Sequence, residues 1–210
     1  RDACENLKRE GIGEEKIFFV GNVMIDTLLK NREKAMKSAV LEEYGLKKGN
    51  YAVLTLHRPC NVDNRTTFER ILAALDVIQR EIRVIFPMHP RTRQRIHEFD
   101  LNNAVSAMSN LVVCNPLGYL DFLKLMCESK LVLTDSGGIQ EETTVLGIPC
   151  ITLRERTERP VTVEQGTNVI VGSDTRRIIE ESFKVLNGRG KTGKIPELWD
   201  GKTAERIVNV

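Results

Sequence analysis

The chain has 210 residues, 41% of them hydrophobic, with 31 basic and 29 acidic side chains and a net charge of +2. Such a length corresponds to about one globular domain, and the near-neutral charge gives no support for nucleic acid or a membrane surface as a partner. The five cysteines form no CxxC pair and no metal-ligand spacing is present, so we expect reduced thiols in a cytoplasmic protein and no metal site.

Short apolar segments alternate with helical patterns along the chain. After an amino-terminal helix, seven strands of four to six residues are predicted, at 17–22, 51–56, 83–88, 111–114, 131–134, 150–153 and 168–171. Helices with an apolar face are predicted at 23–40, 68–78, 90–99, 119–126, 138–146, 174–186 and from 202 onwards. Asp63 or Asn64 can cap the helix over 68–78. The alternation specifies an α/β fold, a Rossmann-like parallel sheet with helices on both faces.

The two ends of the chain differ in composition from its middle. Residues 1–16 are predicted to be a linker and terminal helix, and the chain opens inside a helical pattern, so we expect it to be part of a longer protein. Residues 17–187 form the predicted domain, and 188–210 are a linker rich in Gly, Lys and Pro followed by the start of a last helix. Although 188–194 matches GxxxxGK, no strand precedes it and Ile195 replaces the Ser or Thr of a P-loop, which favours a basic linker.

The segment 131–142 (LVLTDSGGIQEE) is typical of a buried strand, a glycine turn and the first turn of a helix. A helix that begins at the carboxyl end of a strand directs its free N–H groups and positive dipole end into the crevice there. Gly137 and Gly138 would let a phosphate approach the backbone, while Glu141 and Glu142 could accept hydrogen bonds from sugar hydroxyls. The alternative is a tight turn with an acidic first helical turn and no ligand.

Polar residues follow other predicted strands at the point where each strand ends. They are His57, Arg58, His89, Arg91 and the charged loop at 154–159. Ligands bind at this edge in open α/β sheets, where histidine and arginine together could neutralise a diphosphate and histidine could pass a proton to a leaving phosphate. A single histidine is more often explained by a hydrogen bond to a loop carbonyl, but two at the same edge favour a function.

Six groups of short motifs at these strand ends and turns occur together in one known family. They are GN at 21–22 with Asp26, HR at 57–58 with NVD at 61–63, MHPRT at 88–92, DSGGIQEE at 135–142, TERP at 157–160, and GTN at 166–168 with VG at 171–172. On these motifs the sequence resembles the non-hydrolysing UDP-N-acetylglucosamine 2-epimerase family. The match runs from about residue 17 to 172 and corresponds to the carboxyl-terminal half of that family.

The resemblance implies the two-domain GT-B architecture, with this chain as the Rossmann-like UDP-binding half. Ser136, Gly137 and Gly138 would hold phosphate at the helix amino terminus, and Glu142 would bind the ribose hydroxyls. His57 would be the catalytic residue and face the diphosphate of the leaving group. The other residues implied to bind substrate are Leu117 and Phe122 against the uracil, Arg159 at the diphosphate, and Arg58, His89 and Arg91.

The implied reaction interconverts UDP-GlcNAc and UDP-ManNAc, by elimination of UDP to a 2-acetamidoglucal and its re-addition to the other face of the sugar. Such an isomerase of polysaccharide biosynthesis needs no cofactor, in agreement with the absence of a GxGxxG dinucleotide motif. The acids proposed for proton transfer belong to the amino-terminal half of the family, so we expect this chain to bind UDP weakly and not to epimerise alone. The resemblance also implies a homodimer for the full-length protein. Pro59 and Cys60 depart from the family, which usually has a polar or acidic residue in this segment.

Two alternatives share the same binding chemistry. One is the donor-nucleotide domain of a GT-B glycosyltransferase, which would differ in its acceptor half. The other is a non-catalytic nucleotide-sugar-binding module, because binding residues alone do not show turnover. The combination of DSGGxQEE with TERP favours the epimerase, and acids that face the crevice from the other half would separate the enzyme from the non-catalytic module.

Overall fold

Six parallel strands form a single sheet in the computed structural model, which describes residues 1–210. In spatial order the strands are β3 (Leu111–Cys114), β2 (Arg83–Pro87), β1 (Tyr51–Thr55), β4 (Leu131–Thr134), β5 (Cys150–Thr152) and β6 (Asn168–Ile170). Every neighbouring pair is parallel. The chain therefore builds one side of the sheet outwards from β1 and then crosses back to build the other side from β4, which is the doubly wound arrangement of a Rossmann-like α/β fold.

Twelve helices accompany the sheet. Before β1 these are α1 (Asp2–Arg9), α2 (Val23–Ala35) and α3 (Val40–Glu43), with a 3-10 turn at Glu14–Lys16. Between β1 and β4 they are α4 (Pro59–Val62), α5 (Arg65–Glu81), α6 (Pro90–Glu98), α7 (Asn102–Ser106) and α8 (Tyr119–Glu128). After β4 they are α9 (Gly137–Leu146), α10 (Pro160–Glu164), α11 (Thr175–Leu186) and α12 (Thr203–Val208). None of them combines the length and the hydropathy that a bilayer crossing requires.

The buried side chains form two clusters, one on each face of the sheet. In β1, Ala52 and Leu54 belong to the cluster that contains residues of α5 and α11, whereas Tyr51 and Val53 belong to the cluster that contains residues of α2 and α8. Successive residues of a strand point to opposite faces, so a strand covered on both sides reads as a nearly continuous apolar run. Helices on both faces, as predicted from the sequence, follow from this pattern.

The prediction of a strand at 17–22 is wrong. These residues form neither strand nor helix, and no strand of the sheet pairs with them. Phe18 is 55% exposed and Phe19 is 36% exposed, so the apolar run that suggested a strand is not buried in the sheet. Gly21 has a φ of +111°, and a Cβ at this position would lie 2.3 Å from the Leu198 carbonyl oxygen. The segment therefore lies against the carboxyl-terminal part of the chain, an outcome that a short apolar run alone does not distinguish from strand pairing.

Other differences concern helices and the carboxyl-terminal linker. The helix predicted over 23–40 ends earlier, at Ala35, and Val40 begins a separate short helix, α3. Three short helices (α4, α7 and α10) occur in segments without a predicted helix, because each is too short to show a periodic pattern. The linker predicted over 188–200 contains no helix or strand, but Trp199 is 8% exposed and belongs to the core cluster of α2 and α8.

Asn64 caps α5, since its side chain accepts a hydrogen bond from the Thr67 N–H at 2.9 Å. We expect Asn64→Ala to lower the free energy of unfolding by about 1 kcal/mol, because a helix N–H loses its acceptor. Urea denaturation followed by circular dichroism measures the change. Asn64→Asp keeps an acceptor at the same place and should retain the wild-type stability, and equal losses in both variants would contradict the capping role.

Candidate functional site

The ends of β1 and β4 lie side by side at the centre of the sheet. Thr55 pairs with Thr134 in the register of the two strands, and their hydroxyl oxygens are 2.6 Å apart. The strand order reverses between these two strands. In open α/β sheets, ligands bind in the crevice outside the carboxyl ends of the strands at such a switch point. The residues that directly follow β1 and β4 are therefore the first candidates for a binding site.

Asp135, directly after β4, has no exposed surface and is surrounded by hydrogen-bond donors. Its carboxylate accepts from the backbone N–H groups of His57 and Arg58, at 3.0 and 2.8 Å. The side-chain amide of Asn61 donates to it at 3.2 Å and to the Leu153 carbonyl oxygen at 2.7 Å. Burial favours the neutral acid, but the hydrogen bonds from the His57 side chain and from the two backbone groups outweigh this effect and lower the pKa of Asp135.

His57 and His89 lie next to each other beyond the ends of β1 and β2. The Nδ1 atom of His57 is 2.8 Å from Asp135 Oδ1, and 38% of the His57 side chain remains exposed. His89 caps α6, because its Nδ1 accepts a hydrogen bond from the Arg91 N–H at 3.1 Å. In neither case is the partner of Nδ1 a loop carbonyl. The two ring centroids are 5.8 Å apart, so both predicted histidines lie at one edge of the crevice.

The amino terminus of α9 is open. Ser136 is its N-cap residue, yet no side chain caps this helix, whereas side chains cap α2, α5, α6 and α11. A Cβ placed on Gly137 or Gly138 would have no atom within 4 Å. The N–H groups of the first helical turn and the positive end of the helix dipole therefore face open space next to Asp135. The helix ends at Leu146, with Gly147 in the left-handed conformation, as predicted.

Glu142 lies in the second turn of α9 and is 7% exposed. The Tyr119 hydroxyl donates a hydrogen bond to Glu142 Oε1 at 3.2 Å, and burial raises the pKa of both groups. Leu117 and Phe122, predicted to lie against a base, are partly buried and pack against the core cluster of α2 and α8. Tyr119 is 41% exposed and therefore presents aromatic surface next to Glu142.

Arg159 and Glu141 form an ion pair at one side of the crevice. Arg159 Nε is 2.8 Å from Glu141 Oε1, which also accepts a hydrogen bond from the Asn22 side-chain amide at 3.0 Å. Burial raises the pKa of Glu141, although the charge of Arg159 partly offsets this effect. Arg159 thus lies beside the first turns of α9, as a diphosphate-binding arginine would, but its charge is already paired.

Arg58 and Arg91 differ in their availability to a ligand. Arg91 forms an ion pair with Asp63, and Arg95 Nε donates to the same carboxylate at 2.9 Å. The hydrogen bonds from Arg91 and Arg95 lower the pKa of Asp63 to about 2. By contrast, the Nε atom of Arg58 is buried and has no hydrogen-bond partner. A buried cationic donor without an acceptor is costly, so Arg58 is better placed than Arg91 to meet an incoming anion.

Gln140 fixes the loop after β5 against α9. Its side chain is fully buried, and its Oε1 accepts hydrogen bonds from the Thr157 hydroxyl at 2.6 Å and the Asn168 side-chain amide at 3.1 Å. Its Nε2 donates to the Ser136 carbonyl oxygen at 3.1 Å. One side chain therefore joins the loop 154–159, the start of β6 and the N-cap of α9.

A cavity of about 1210 Å³ lies beside this crevice. It is lined mainly by residues within 1–23 and 194–199, together with Glu141 and residues at and around α10. Of the predicted site residues it contains only Arg159, so the predicted site is an open edge of the sheet and not the enclosed part of this cavity. Nowhere does the chain bring together three or more His, Cys, Asp or Glu side chains that could hold a metal ion.

Two residues at the crevice have contacts that the sequence does not reveal. Asp135 belongs to a quoted motif, but its contact with His57 depends on β4 lying beside β1. The sequence indicates the pair of Asp135 and His57 in one way only: a polar residue follows each of two buried strands. Tyr119 has an apolar helical pattern around it, and its hydroxyl is the one feature that could have indicated a polar partner.

The doubly wound sheet, with an open helix amino terminus and two histidines at its switch point, defines a Rossmann-like α/β domain with a candidate anion site. The sequence profile of the family described as UDP-N-acetylglucosamine 2-epimerase matches residues 1–210. The chain belongs to this family.

Two relatives and one crystal structure show how much of the family this chain represents. The UDP-N-acetylglucosamine 2-epimerase of Methanocaldococcus jannaschii is 40% identical over 99% of the chain, which covers 58% of that protein. A crystal structure of the M. jannaschii UDP-GlcNAc 2-epimerase with UDP-GlcNAc and UDP matches with a TM-score of 0.87 and 39% identity, over 99% of this chain and 58% of the other. The UDP-2,3-diacetamido-2,3-dideoxy-D-glucuronate 2-epimerase of Pseudomonas aeruginosa is 38% identical over 91% of the chain and 51% of its own length. The chain therefore spans somewhat more than half of the length of these relatives and corresponds to about half of the GT-B architecture.

Replacing Gln140 by leucine tests the network around α9. We expect Gln140→Leu to lower the free energy of unfolding by about 2 kcal/mol or more, because the Asn168 amide and the Thr157 hydroxyl lose their shared acceptor in a buried place. Chemical denaturation measures the loss, and hydrogen exchange should show faster exchange in the loop 154–159. Gln94→Leu, on the exposed face of α6, is the matched control and should stay within about 0.5 kcal/mol of the wild type. Equal effects of the two substitutions would contradict the role of Gln140.

Proposed function

We propose that the crevice between β1 and β4 binds the diphosphate of UDP and of a UDP-N-acetylhexosamine. The observation that carries this proposal is the amino terminus of α9, an uncapped helix start with two glycines that face open space. Nothing in the fold requires glycine at 137 or 138, because neither residue has a positive φ and a Cβ would fit at both. A phosphate that approaches the backbone would require it.

The residues around this helix start supply the rest of a nucleotide site. The Nε atom of Arg58 lacks a partner and is available to a phosphate oxygen, and Glu142 can accept hydrogen bonds from ribose hydroxyls. The uracil would lie near Tyr119. In the proposed site, phosphate contacts Ser136, Gly137 and Gly138, and Leu117 and Phe122 support the base pocket. Arg159 would leave Glu141 to pair with the diphosphate. His89 lies beside His57, and Arg91 can bind the ligand only if it leaves Asp63. The match to a relative whose structure holds UDP supports UDP as the nucleotide.

Replacing Gly138 by alanine separates ligand binding from folding. We expect Gly138→Ala to raise the free energy of unfolding by about 0.5 kcal/mol, because alanine restricts the unfolded chain and fits the helix. UDP binding, measured by isothermal titration calorimetry, should weaken about tenfold or more, because the added methyl group occupies the space that a phosphate needs. Opposite changes in stability and affinity are the result that a binding role predicts.

Gly49→Ala provides the matched control for this experiment. Gly49 has a φ of +74° and precedes β1, at the opposite edge of the sheet, so its substitution should lower stability and leave UDP affinity unchanged. NAD serves as the control ligand and should not bind. Binding of NAD but not UDP would refute the proposed nucleotide, and wild-type UDP affinity in Gly138→Ala would refute the proposed place.

In the full-length protein, the reaction we propose is the interconversion of UDP-GlcNAc and UDP-ManNAc. A base in the other half removes the proton from C2, the C1–O bond breaks, and its electron pair leaves on the phosphate oxygen of UDP. UDP stays bound beside the 2-acetamidoglucal and is added back to C1, while a proton is delivered to the other face of C2. The part of this chain is to hold UDP throughout, with His57 facing the diphosphate and stabilising the charge of the leaving oxygen.

The division of roles between the two halves can be tested directly. The 210-residue chain should form no UDP-ManNAc from UDP-GlcNAc in a proton NMR assay, because the family resemblance places the proton-transfer acids in the other half. In the full-length protein, His57→Gln should lower kcat about 100-fold or more and change KM much less. Detectable UDP-ManNAc from the 210-residue chain would contradict this division.

The relatives favour an epimerase over the alternatives. The family profile covers the whole chain, which favours an epimerase half over the donor-nucleotide domain of a glycosyltransferase. A non-catalytic nucleotide-sugar-binding module would share this crevice, so acids in the other half decide between module and enzyme. The P. aeruginosa relative is named for a different UDP-sugar, so turnover of both sugars by the full-length protein tests the preference. On the family resemblance we also propose a homodimer, a cytoplasmic location and a role in polysaccharide biosynthesis.

A further inference from the structure

We infer that Asp135 is a positioning residue for His57, which holds the neutral imidazole in the tautomer with its proton on Nδ1 and leaves Nε2 for the leaving phosphate. The tautomer follows from the geometry of this chain alone. The role towards the phosphate rests on the proposed function, so the two parts can fail separately.

The direct contact between the two side chains determines the tautomer. His57 Nδ1 lies 2.8 Å from Asp135 Oδ1, and the carboxylate has no exposed surface. An ionised carboxylate only accepts hydrogen bonds, so the proton between the two atoms lies on Nδ1. Because a neutral imidazole carries one N–H, Nε2 keeps its lone pair. When Nε2 also takes up a proton, the buried negative charge lies next to the positive ring and stabilises it.

The contact with the ring is separate from the contacts that hold the backbone. Asp135 already accepts hydrogen bonds from the N–H groups of His57 and Arg58 and from the Asn61 amide. These three hydrogen bonds fix the turn after β1 without the imidazole. The bond to Nδ1 therefore acts on the orientation and the protonation of the ring.

None of the other charged or titratable groups around His57 can accept the hydrogen bond from its Nδ1 in place of Asp135. Arg58 and Cys60 lie on the same segment as His57, and His89 lies beside it at the end of β2. Arg154, after β5, is paired with Glu158. Asp135 is the one acidic side chain within ion-pair distance of the His57 ring. The His57 side chain is 38% exposed, so Nε2 would first take a proton from solvent and form the imidazolium. With UDP-sugar bound, this imidazolium would give the Nε2 proton to the phosphate oxygen as the electron pair of the C1–O bond moves onto that oxygen, and the ring would return to the neutral Nδ1–H tautomer. It would take the proton back when the oxygen attacks C1.

Nitrogen-15 NMR of the imidazole tests the tautomer on the 210-residue chain without any ligand. At about pH 9, where an imidazole is neutral, we expect a protonated Nδ1 and an unprotonated Nε2 for His57, with assignment by its loss in His57→Gln. A protonated Nε2 in the wild type would overturn the inference. In Asp135→Asn the side-chain amide can donate to Nδ1, so the proton should move to Nε2, and an unchanged tautomer would also overturn the inference. Should Asp135→Asn fail to fold, the wild-type spectrum alone decides.

A double-mutant cycle in the full-length protein tests the action through His57. We expect Asp135→Asn to lower kcat about 100-fold with KM changed less than about threefold, because the wrong nitrogen then carries the proton. In a His57→Gln background, Asp135→Asn should cost almost nothing more, since both changes remove the same function. Additive losses, or a loss confined to KM, would show a merely structural acid and overturn the inference. Failure of UDP to bind would refute the proposed function and leave the tautomer result standing.

Discussion

A buried carboxylate holds the two central strands together at their carboxyl ends. An ionised acid without partners in such a place would cost on the order of several kcal/mol, and Asp135 avoids this cost through donors from the segment after β1. The chain can therefore leave β4 only along a path that keeps Asp135 next to residues 57 and 58. That path determines where α9 begins, and with it the position of the open helix amino terminus. Both sides of the crevice thus depend on one side chain.

Most charged side chains near the crevice are already paired within the chain. Glu141 holds Arg159, Asp63 holds Arg91, and Arg154 lies 2.6 Å from Glu158. Two kinds of donor at the crevice lack an acceptor: the backbone N–H groups in the first turn of α9 and the Nε atom of Arg58. A diphosphate would meet these donors first, and it would meet Arg159 only by exchanging an existing pair. Because these charges cancel locally, the net charge of +2 does not indicate that the chain has an anion site.

The sequence predicts this fold wherever the signal is local. The strands β1 and β4 are apolar runs buried on both faces, and Gly147 is a helix stop whose left-handed conformation suits glycine. The false strand at 17–22 shows the same apolar signal, because a short run does not tell whether a partner strand exists. In the site, the glycine turn and the two histidines are local patterns and could be predicted. The contact of Asp135 with His57 joins residues 78 positions apart and follows from strand order, which no local pattern encodes.

The position of Gln140 has a consequence for how the protein opens. Because one buried amide joins the N-cap of α9, the loop 154–159 and the start of β6, none of these three segments can separate from the others without breaking hydrogen bonds to the Gln140 side chain. They form a cooperative unit in the sense of local unfolding, distinct from the β3 edge of the sheet, which this amide does not reach. Thermal fluctuations that expose the loop should therefore also unfold the first turn of α9, where we propose that the diphosphate binds.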